Sequence, residues 1–434
     1  MHPRIYLLAL GTFTVGTEGY VIAGVLPSVA HDMHTSVSMC GQLVTVFALV
    51  YALAGAPLIG LLHQVPPKRL LMGAALVFAL ANGLAAVAPD FAVLTGARVL
   101  AALGAALFAA PAAATAAALC APEELPRAIS VTAGGNALAL TLGAPLGTVV
   151  GSAFGWRASF GFVTLLAIIT AVAVWTGLPD VPSAGNTAAG RLNLLRRTPI
   201  RWGLVTTFGL FLAAYCVYTY LSPVAHKATG LGSDGVATLM IVFGAGGLLA
   251  GRLISRLIAR RGIALVLRGA FLTITALLAV LTVITVAHVP LVATVIVFPL
   301  MFMFGSAWWS GGISQQARLA GLAPTQRAQV LGLHFSAQYL GVAVGGALGG
   351  LALSGVGPTA VPLVGGAIAL ACVLSIRQVT PAAVVGEPAA RPRGDRGGLA
   401  DERARPLDPR LPQGEGQGVG APPADRLAGP SRGR

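Results

Sequence analysis

Charged side chains are scarce in this sequence. Asp, Glu, Lys and Arg make up 10% of its 434 residues, and the only lysines are Lys68 and Lys227. Soluble proteins contain about 25% charged residues, so this composition excludes an ordinary soluble domain. Hydrophobic residues reach 56% of the chain. We therefore expect an all-α protein that crosses a membrane several times.

The motifs of nucleotide-driven pumps and zinc enzymes are also missing. The sequence has no GxxxxGKS or GxxxxGKT loop, because neither lysine follows a glycine, and it has no HExxH helix. The four cysteines form no CxxC pair and lie in or beside apolar runs, which indicates buried thiols rather than metal ligands. They are Cys40, Cys120, Cys216 and Cys372. We expect no enzymatic activity, no bound metal and no cofactor.

The basic residues determine the expected orientation. The net charge is +14, but the basic side chains lie in short gaps between apolar runs or in the C-terminal tail, which is unlike a nucleic-acid-binding surface. Arg98 lies within an apolar run, and only Arg157 and Lys227 fall in gaps on one side. By the positive-inside rule, and with an even number of helices, both termini are expected in the cytoplasm and the chain in the cell membrane. No nucleic-acid partner is expected.

Apolar runs of about 20 residues recur along the chain, as membrane-spanning helices require. Twelve of them lie near 5–27, 38–62, 70–88, 91–118, 128–152, 158–178, 202–222, 236–258, 264–287, 290–317, 328–354 and 360–376. Residues 179–201 are rich in Pro, Gly, Ser and Arg, which predicts a cytoplasmic linker between two six-helix halves, 1–178 and 202–377. Residues 378–434 contain few large apolar side chains, which predicts a disordered cytoplasmic tail.

The two halves resemble each other at a constant offset. Three glycines four residues apart recur in the fifth and eleventh runs, each 198 positions later (341 − 143 = 198). They are Gly143, Gly147 and Gly151, followed by Gly341, Gly345 and Gly349. The repeat predicts two parallel halves related by an axis along the membrane normal.

Glu18 stands near the middle of the first apolar run, LLALGTFTVGTEGYVIAGVLP (7–27). An ionisable side chain inside a membrane helix is costly and is by default a functional candidate. Because its protonation responds to local pH and to competing ligands, Glu18 is predicted to carry protons. Two alternatives stay open: a protonated carboxyl that only hydrogen-bonds a neighbouring helix, and a direct contact to substrate.

Other polar and aromatic residues interrupt the apolar runs. Arg98 follows Asp90 by eight residues, about 12 Å along the helix, which is deep for a side chain that snorkels to the surface. The predicted cavity residues are Gln42, Asn136, Tyr215, Tyr218, His334 and Gln338. The amides and the histidine need hydrogen-bond partners inside the bilayer, so contacts between helices are the alternative. The tyrosines, with Trp308 and Trp309, suit stacking on a planar or cationic ligand, although packing is equally open.

Four stretches resemble the major facilitator superfamily, and within it the twelve-helix branch of drug:proton antiporters and sugar-efflux proteins. They are TEGYVIAGVLPSVAHDM (17–33), PLIGLLHQVPPKRLLMG (57–73), RVLAALGAALF (98–108) and GNALALTLGAPLGTVVGSAFGWR (135–157). The resemblance covers about 1–377. It implies a proton-coupled transporter that exports small molecules by alternating access, with Glu18 and Arg98 in proton coupling. We expect a monomer in the lipid bilayer.

The resemblance also implies gating elements. In the fifth run it assigns closure of the outer side to Gly143, Pro145, Gly147 and Gly151, and Pro145 predicts a bend because it lacks a backbone donor. In the loops it assigns conformational roles to Gly60, Gln64, Lys68, Arg69, Gly251 and Arg256.

The loops depart from the family pattern, because Gln64 and Ser255 replace acids and Pro67 replaces a glycine. These departures, together with the tail, keep open a membrane sensor or scaffold that does not transport. A sugar or metabolite transporter of the other direction is the second alternative.

Overall fold

A computed structural model of the protein describes residues 4–62, 64–120, 125–180, 194–287, 289–323 and 326–377. The predicted tail, 378–434, and most of the predicted linker, 181–193, lie outside the described residues. Within the described ranges the secondary structure is helical and contains no strand.

Six transmembrane segments form the first half of the chain. They are α1 (Ile5–Asp32), α2 (Val37–Leu61), α3 (Pro67–Ala86), α4 (Phe91–Ala118), α5 in two parts, α5a (Leu125–Leu138) and α5b (Ala144–Phe154), and α6 (Trp156–Gly177). A π-helical turn, Ala139–Gly143, joins α5a to α5b.

The second half has the same order. Its segments are α7 in two parts, α7a (Thr198–Tyr218) and α7b (Leu221–Thr229), then α8 (Ser233–Arg261), α9 (Ile263–Ala287), α10 (Pro290–Leu322), α11 (Arg327–Gly355) and α12 (Ala360–Arg377). Eleven described segments are long and apolar enough to cross a membrane, and a twelfth apolar stretch, Ala360–Val373, is shorter. The predicted helical membrane fold is confirmed.

Several helix ends differ from the predicted boundaries. Helix α1 continues five residues beyond Pro27, and α7a begins at Thr198, inside the predicted linker. Beyond Pro27 the side chains of Val29 and Ala30 are buried, so packing offsets the backbone hydrogen bond that proline removes. Thr198 precedes a proline in the first turn of α7a, where the missing N–H costs nothing.

Each packing contact in the first half has a counterpart in the second. Helices α3 and α4 pack together as α9 and α10 do, and α1 contacts α5 and α6 as α7 contacts α11 and α12. The halves meet where α2 packs against α11 and α5 against α8. The boundaries of the two halves stay a prediction.

The first half is tied together where α1 ends. Arg157, at the start of α6, pairs with Asp32 and also donates to the Ala88 carbonyl, 3.1 Å away. The Trp156 indole N–H donates to Asp32 Oδ2 at 3.0 Å. Arg157 was one of two basic residues expected in gaps of the far side, and these partners account for its position. We call this side of the molecule the Asp32 end.

Candidate proton and substrate site

Glu18 on α1 and Arg98 on α4 form an ion pair inside the first half. Arg98 Nη1 contacts Glu18 Oε1, and the two side chains are 1% and 0% exposed. Whether these residues pair was open from the sequence, because 80 positions separate them (98 − 18 = 80). The guanidinium carbon of Arg98 also lies 4.6 Å from the ring centre of Phe47 on α2. The pair therefore joins three helices of the first half.

The start of α4 explains the depth of Arg98. Asp90 caps the helix, since its Oδ1 accepts a hydrogen bond from the Val93 N–H at 2.8 Å. Arg98 stands more than two turns further along, beyond easy reach of the membrane surface. Among the described residues, Glu18 Oε2 and Arg98 Nε find no hydrogen-bond partner. The two charges thus depend on each other, and loss of either leaves a buried charge uncompensated.

Two residues beyond Glu18, Tyr20 belongs to an aromatic cluster where the two halves meet. Asn136 Nδ2 on α5a donates to the Tyr20 hydroxyl at 3.3 Å. The rings of Tyr20 and Tyr218 meet edge to face with centres 6.0 Å apart, and Tyr215 lies 5.8 Å from Tyr218. The predicted residues Asn136, Tyr215 and Tyr218 are therefore brought together.

Trp308 on α10 packs into the same cluster. Its ring centre lies 5.4 Å from Tyr215, 6.0 Å from Tyr218 and 5.3 Å from Phe243 on α8. Among the described residues, the Trp308 indole nitrogen and the Tyr218 hydroxyl have no hydrogen-bond partner. Aromatic rings with free polar edges suit a ligand that offers both a flat face and polar atoms.

Tyr20 was missed from the sequence, although a signal was available. Tyr20 and Tyr218 are 198 positions apart (218 − 20 = 198), the same offset as the glycines of the fifth and eleventh runs. In the structure these equivalent residues touch across the two halves. A search for the repeat among aromatic residues would have found the pair.

The other predicted cavity residues make different contacts. Gln42 Nε2 donates to the Ser38 carbonyl one turn back on α2, at 3.4 Å. His334 is 2% exposed, and its Nδ1 lies 3.1 Å from the Thr207 hydroxyl on α7a. Gln338 is half-buried on α11. The contacts of Gln42 and His334 are those expected of side chains that join or stabilise helices.

The three glycines of α5 lie against α1. A methyl group at Gly143, Gly147 or Gly151 would overlap, in that order, with Thr17, Val21 and Val25 of α1. Both sets recur every four residues, so the two helices approach closely along one face. The Gly147 carbonyl also accepts a hydrogen bond from Ser159 on α6 at 2.7 Å.

A π-helical turn precedes Pro145, where a bend was predicted. The Ala144 N–H bonds to the Ala139 carbonyl, five residues back, and Pro145 follows with no N–H to donate. The wider turn leaves room for the proline ring, which would clash in a regular α-helix. The irregular turn therefore lies beside the glycine contacts to α1.

Two of the hydrogen bonds between the halves lie at the Asp32 end. Ser38 at the start of α2 donates to the Gly350 carbonyl near the end of α11, at 2.6 Å. Ser152 near the end of α5b lies 3.3 Å from Asp234 in the first turn of α8. Further along the same helices, Thr45 on α2 donates to the Ala343 carbonyl on α11 at 3.2 Å, and the rings of Tyr51 on α2 and Tyr339 on α11 stack with their centres 3.7 Å apart.

The predicted loop residues lie at the opposite end. Gln64, between α2 and α3, and Arg69 are exposed, while the Lys68 ammonium lies 5.5 Å from the ring centre of Trp175 on α6. Gly60 belongs to α2, and Gly251 and Arg256 are exposed on α8. The Lys68 contact lies within the first half, so it does not hold the halves together.

Comparison with known proteins identifies the family. The model of the Major Facilitator Superfamily matches residues 8–321, more than half of the chain. The chain therefore belongs to this superfamily of multi-pass membrane transporters, which are not enzymes in general. The predicted superfamily is confirmed, whereas the drug:proton antiporter branch stays a prediction.

Two relatives from Bacillus subtilis (strain 168) match most of the chain. The uncharacterized MFS-type transporter YbcL is 29% identical over 367 residues, covering 83% of this chain and 92% of the relative. The uncharacterized MFS-type transporter YfhI is 28% identical over 375 residues, covering 85% and 91%. Both relatives thus align with more than four fifths of this chain.

Solved structures share the fold at low sequence identity. The nucleoside transporter NupG has a TM-score of 0.71 at 13% identity, covering 88% of this chain and all of that one. A D-xylose–proton symporter has a TM-score of 0.68 at 16% identity, covering 87% and 97%. A bacterial homologue of the human lysosomal transporter Spinster, inward-facing and unoccupied, gives 0.61 at 17%, covering 87% and 94%.

Proposed function

We propose that the protein is a proton-coupled secondary transporter that exports a small molecule across the cell membrane. The buried ion pair of Glu18 and Arg98 carries this proposal. Glu18 lies two residues from Tyr20, whose ring contacts Tyr218 of the other half. A change of charge at Glu18 therefore acts on the same helix, α1, that contacts the other half through Tyr20.

The coupling step follows from the environment of the pair. While Glu18 is ionised, its carboxylate compensates the buried charge of Arg98. A proton on Glu18 removes that compensation, so the contact between α1 and α4 weakens and Arg98 requires another partner. Since α5 packs closely on α1 along the glycine face, a shift of α1 is transmitted to α5.

The aromatic cluster is the proposed substrate site. Tyr20, Tyr215, Tyr218 and Trp308 come from both halves, as a site used in alternating access requires. The free hydroxyl of Tyr218 and the free indole N–H of Trp308 support a flat or cationic ligand that also carries polar atoms.

The orientation and the closed side are proposed from charge and from the contacts between the halves. With both termini in the cytoplasm, as the basic residues favour, the Asp32 end faces outward. The hydrogen bonds of Ser38 and Ser152 to the other half then support a closed outer side in this conformation, which importers and exporters both adopt. Export itself is proposed from the resemblance of 135–157 to the antiporter signature. We assign the seal to α5b and α2, and we retain a monomer as the working unit.

Transport in proteoliposomes tests this proposal. A substrate is first identified from the resistance of cells that express the chain, measured against chemically diverse toxic compounds with and without a protonophore. In proteoliposomes, Glu18→Gln should abolish transport driven by a pH gradient but keep exchange of labelled for unlabelled substrate. Glu18→Asp, which keeps the acid, is the matched control and should retain part of the driven transport.

The alternatives predict other results. Undiminished gradient-driven efflux by Glu18→Gln would show that Glu18 takes no part in coupling. Uptake of substrate under an inward proton gradient would show that transport runs opposite to the proposed direction. Removal of residues 378–434 should leave transport intact. A scaffold would transport nothing and would lose its partner when the tail is removed.

A further inference from the structure

A groove of about 590 Å³ lies between α8, α9 and α10, away from the proposed substrate site. Its apolar walls include Leu257, Leu265, Leu272 and Met303, which are 44%, 52%, 50% and 50% exposed. Large apolar side chains this exposed, in helices that cross the membrane, face lipid chains rather than protein. The groove therefore opens toward the bilayer.

Two arginines line the same groove. Arg261 is exposed and is the last residue of α8, and Arg268 is half-buried on α9, five residues after that helix begins. At 1.5 Å per residue, Arg268 lies about 8 Å along α9. The positive charges therefore occupy one end of a groove whose other lining residues are uncharged.

The sequence around these two arginines is strongly basic. Residues 235–386 contain no Asp or Glu. They contain eight arginines, which are Arg252, Arg256, Arg260, Arg261, Arg268, Arg318, Arg327 and Arg377. The groove therefore lies in a basic part of the sequence.

We propose that the groove binds an anionic phospholipid, with the phosphate at Arg261 and Arg268 and one acyl chain along Leu265, Leu272 and Met303. Arginine binds phosphate with paired hydrogen bonds, and basic pockets between membrane helices are suited to anionic headgroups. Ser306 and Ser310 also line the groove, and the Ser306 hydroxyl donates to backbone carbonyls. The tail, 378–434, is a poorer occupant, because its nine arginines outnumber its seven acidic residues and it has few large apolar side chains to fill the apolar walls.

Lipid titration of the full-length purified protein tests the proposal. Native mass spectrometry would compare phosphatidylglycerol with phosphatidylcholine of identical acyl chains. We expect phosphatidylglycerol to bind at concentrations at least tenfold lower. The double variant Arg261→Gln/Arg268→Gln should lose this preference, whereas Arg256→Gln, an exposed arginine of α8 outside the groove, should keep it.

A second variant fills the groove without changing its charge. Gly269 lines the groove, and a side chain added there meets no atom within 4 Å at its Cβ. Gly269→Leu should therefore fold normally, as judged by its melting temperature, and should bind both lipids several-fold more weakly. Gly251→Leu on α8, equally open and outside the groove, is the matched control.

Four results would overturn the assignment. Equal binding of both lipids would indicate bulk lipid only, and equal losses in Arg256→Gln would indicate a general effect of charge. Displacement of phosphatidylglycerol by millimolar inorganic phosphate would identify a phosphate site instead. Phosphatidylglycerol binding that appears only after removal of 378–434 would show that the tail occupies the groove.

Discussion

The ion pair of Glu18 and Arg98 makes a prediction about stability that does not depend on knowing the substrate. In Glu18→Gln the guanidinium of Arg98 stays buried, since its side chain is only 1% exposed, but it loses its carboxylate. Breaking a buried pair by removing one partner costs about 3–5 kcal/mol. The contact with the Phe47 ring, at 4.6 Å, is retained but is worth only about 0.5–2 kcal/mol. We expect Glu18→Gln to lower the free energy of unfolding by about 3 kcal/mol, since the amide can still accept a hydrogen bond.

The double variant Glu18→Gln/Arg98→Gln separates charge from packing. Removing both charges should restore part of the loss, because no buried charge is left uncompensated. Reversible unfolding in mixed detergent micelles would measure the free energy of unfolding of each variant. The control is Arg69→Gln, at an exposed arginine, which should stay within about 0.5 kcal/mol of wild type. The reasoning is refuted if Glu18→Gln lowers the free energy of unfolding by less than about 1 kcal/mol. It is also refuted if the loss in the double variant equals the sum of the losses in Glu18→Gln and Arg98→Gln.

Three further predictions concern the cluster, the glycine contacts and the Asp32 end. Trp308→Ala should raise the substrate KM at least tenfold, whereas Trp308→Phe should change it only a few-fold, because the ring contacts are worth about 0.5–1.5 kcal/mol each. Transport kinetics would measure both KM values, and equal effects of the two variants would argue against stacking. Gly147→Leu should abolish transport, because a Cβ added at Gly147 overlaps Val21. Gly134→Leu, on the same helix, should transport normally, because a Cβ added there meets no atom within 4 Å. Loss of transport in both variants would point to a general defect of α5. Asp32→Asn should lower the melting temperature only slightly, because the Asp32 and Arg157 side chains are 46% and 41% exposed and exposed pairs contribute about 0–1 kcal/mol. A decrease of several kcal/mol in the free energy of unfolding would show instead that this contact is a main stabilising interaction of the first half.

The fold was predictable because the bilayer fixes the length of each helix. Runs of about 20 apolar residues bounded by Pro, Gly or charge leave few alternatives. Helix ends were less predictable, since they depend on packing: Pro27 reads as a stop, yet the buried side chains of Val29 and Ala30 extend α1 past it.

The site was predictable in its residue types but not in its contacts. Glu18 stood out because an acid in an apolar run is costly, and Arg98 because of its depth. Their pairing depends on how α1 packs against α4, and no local pattern encodes that geometry. Tyr20 was overlooked since a tyrosine in an apolar run is ordinary, and only its repeat-related partner Tyr218 shows where it lies.

The contacts of His334 illustrate the same limit. A histidine in an apolar run suggests a ligand contact, but in the structure its ring lies beside Thr207 on α7a. Its repeat-related residue, Asn136 (334 − 198 = 136), bonds to Tyr20 in the cluster. Equivalent positions in the two halves thus make different contacts, because the residues that face them differ.

Proton movement driven by the substrate tests the central claim most directly. Proteoliposomes would contain a pH-sensitive dye, and substrate would be added on one side with no imposed pH gradient. The account predicts that protons move opposite to the substrate, so the lumenal pH of the wild type rises as substrate enters the lumen. For Glu18→Gln it predicts no change of lumenal pH, although substrate exchange continues. An unchanged lumenal pH in the wild type during net substrate transport, or an equal change in Glu18→Gln, would contradict it.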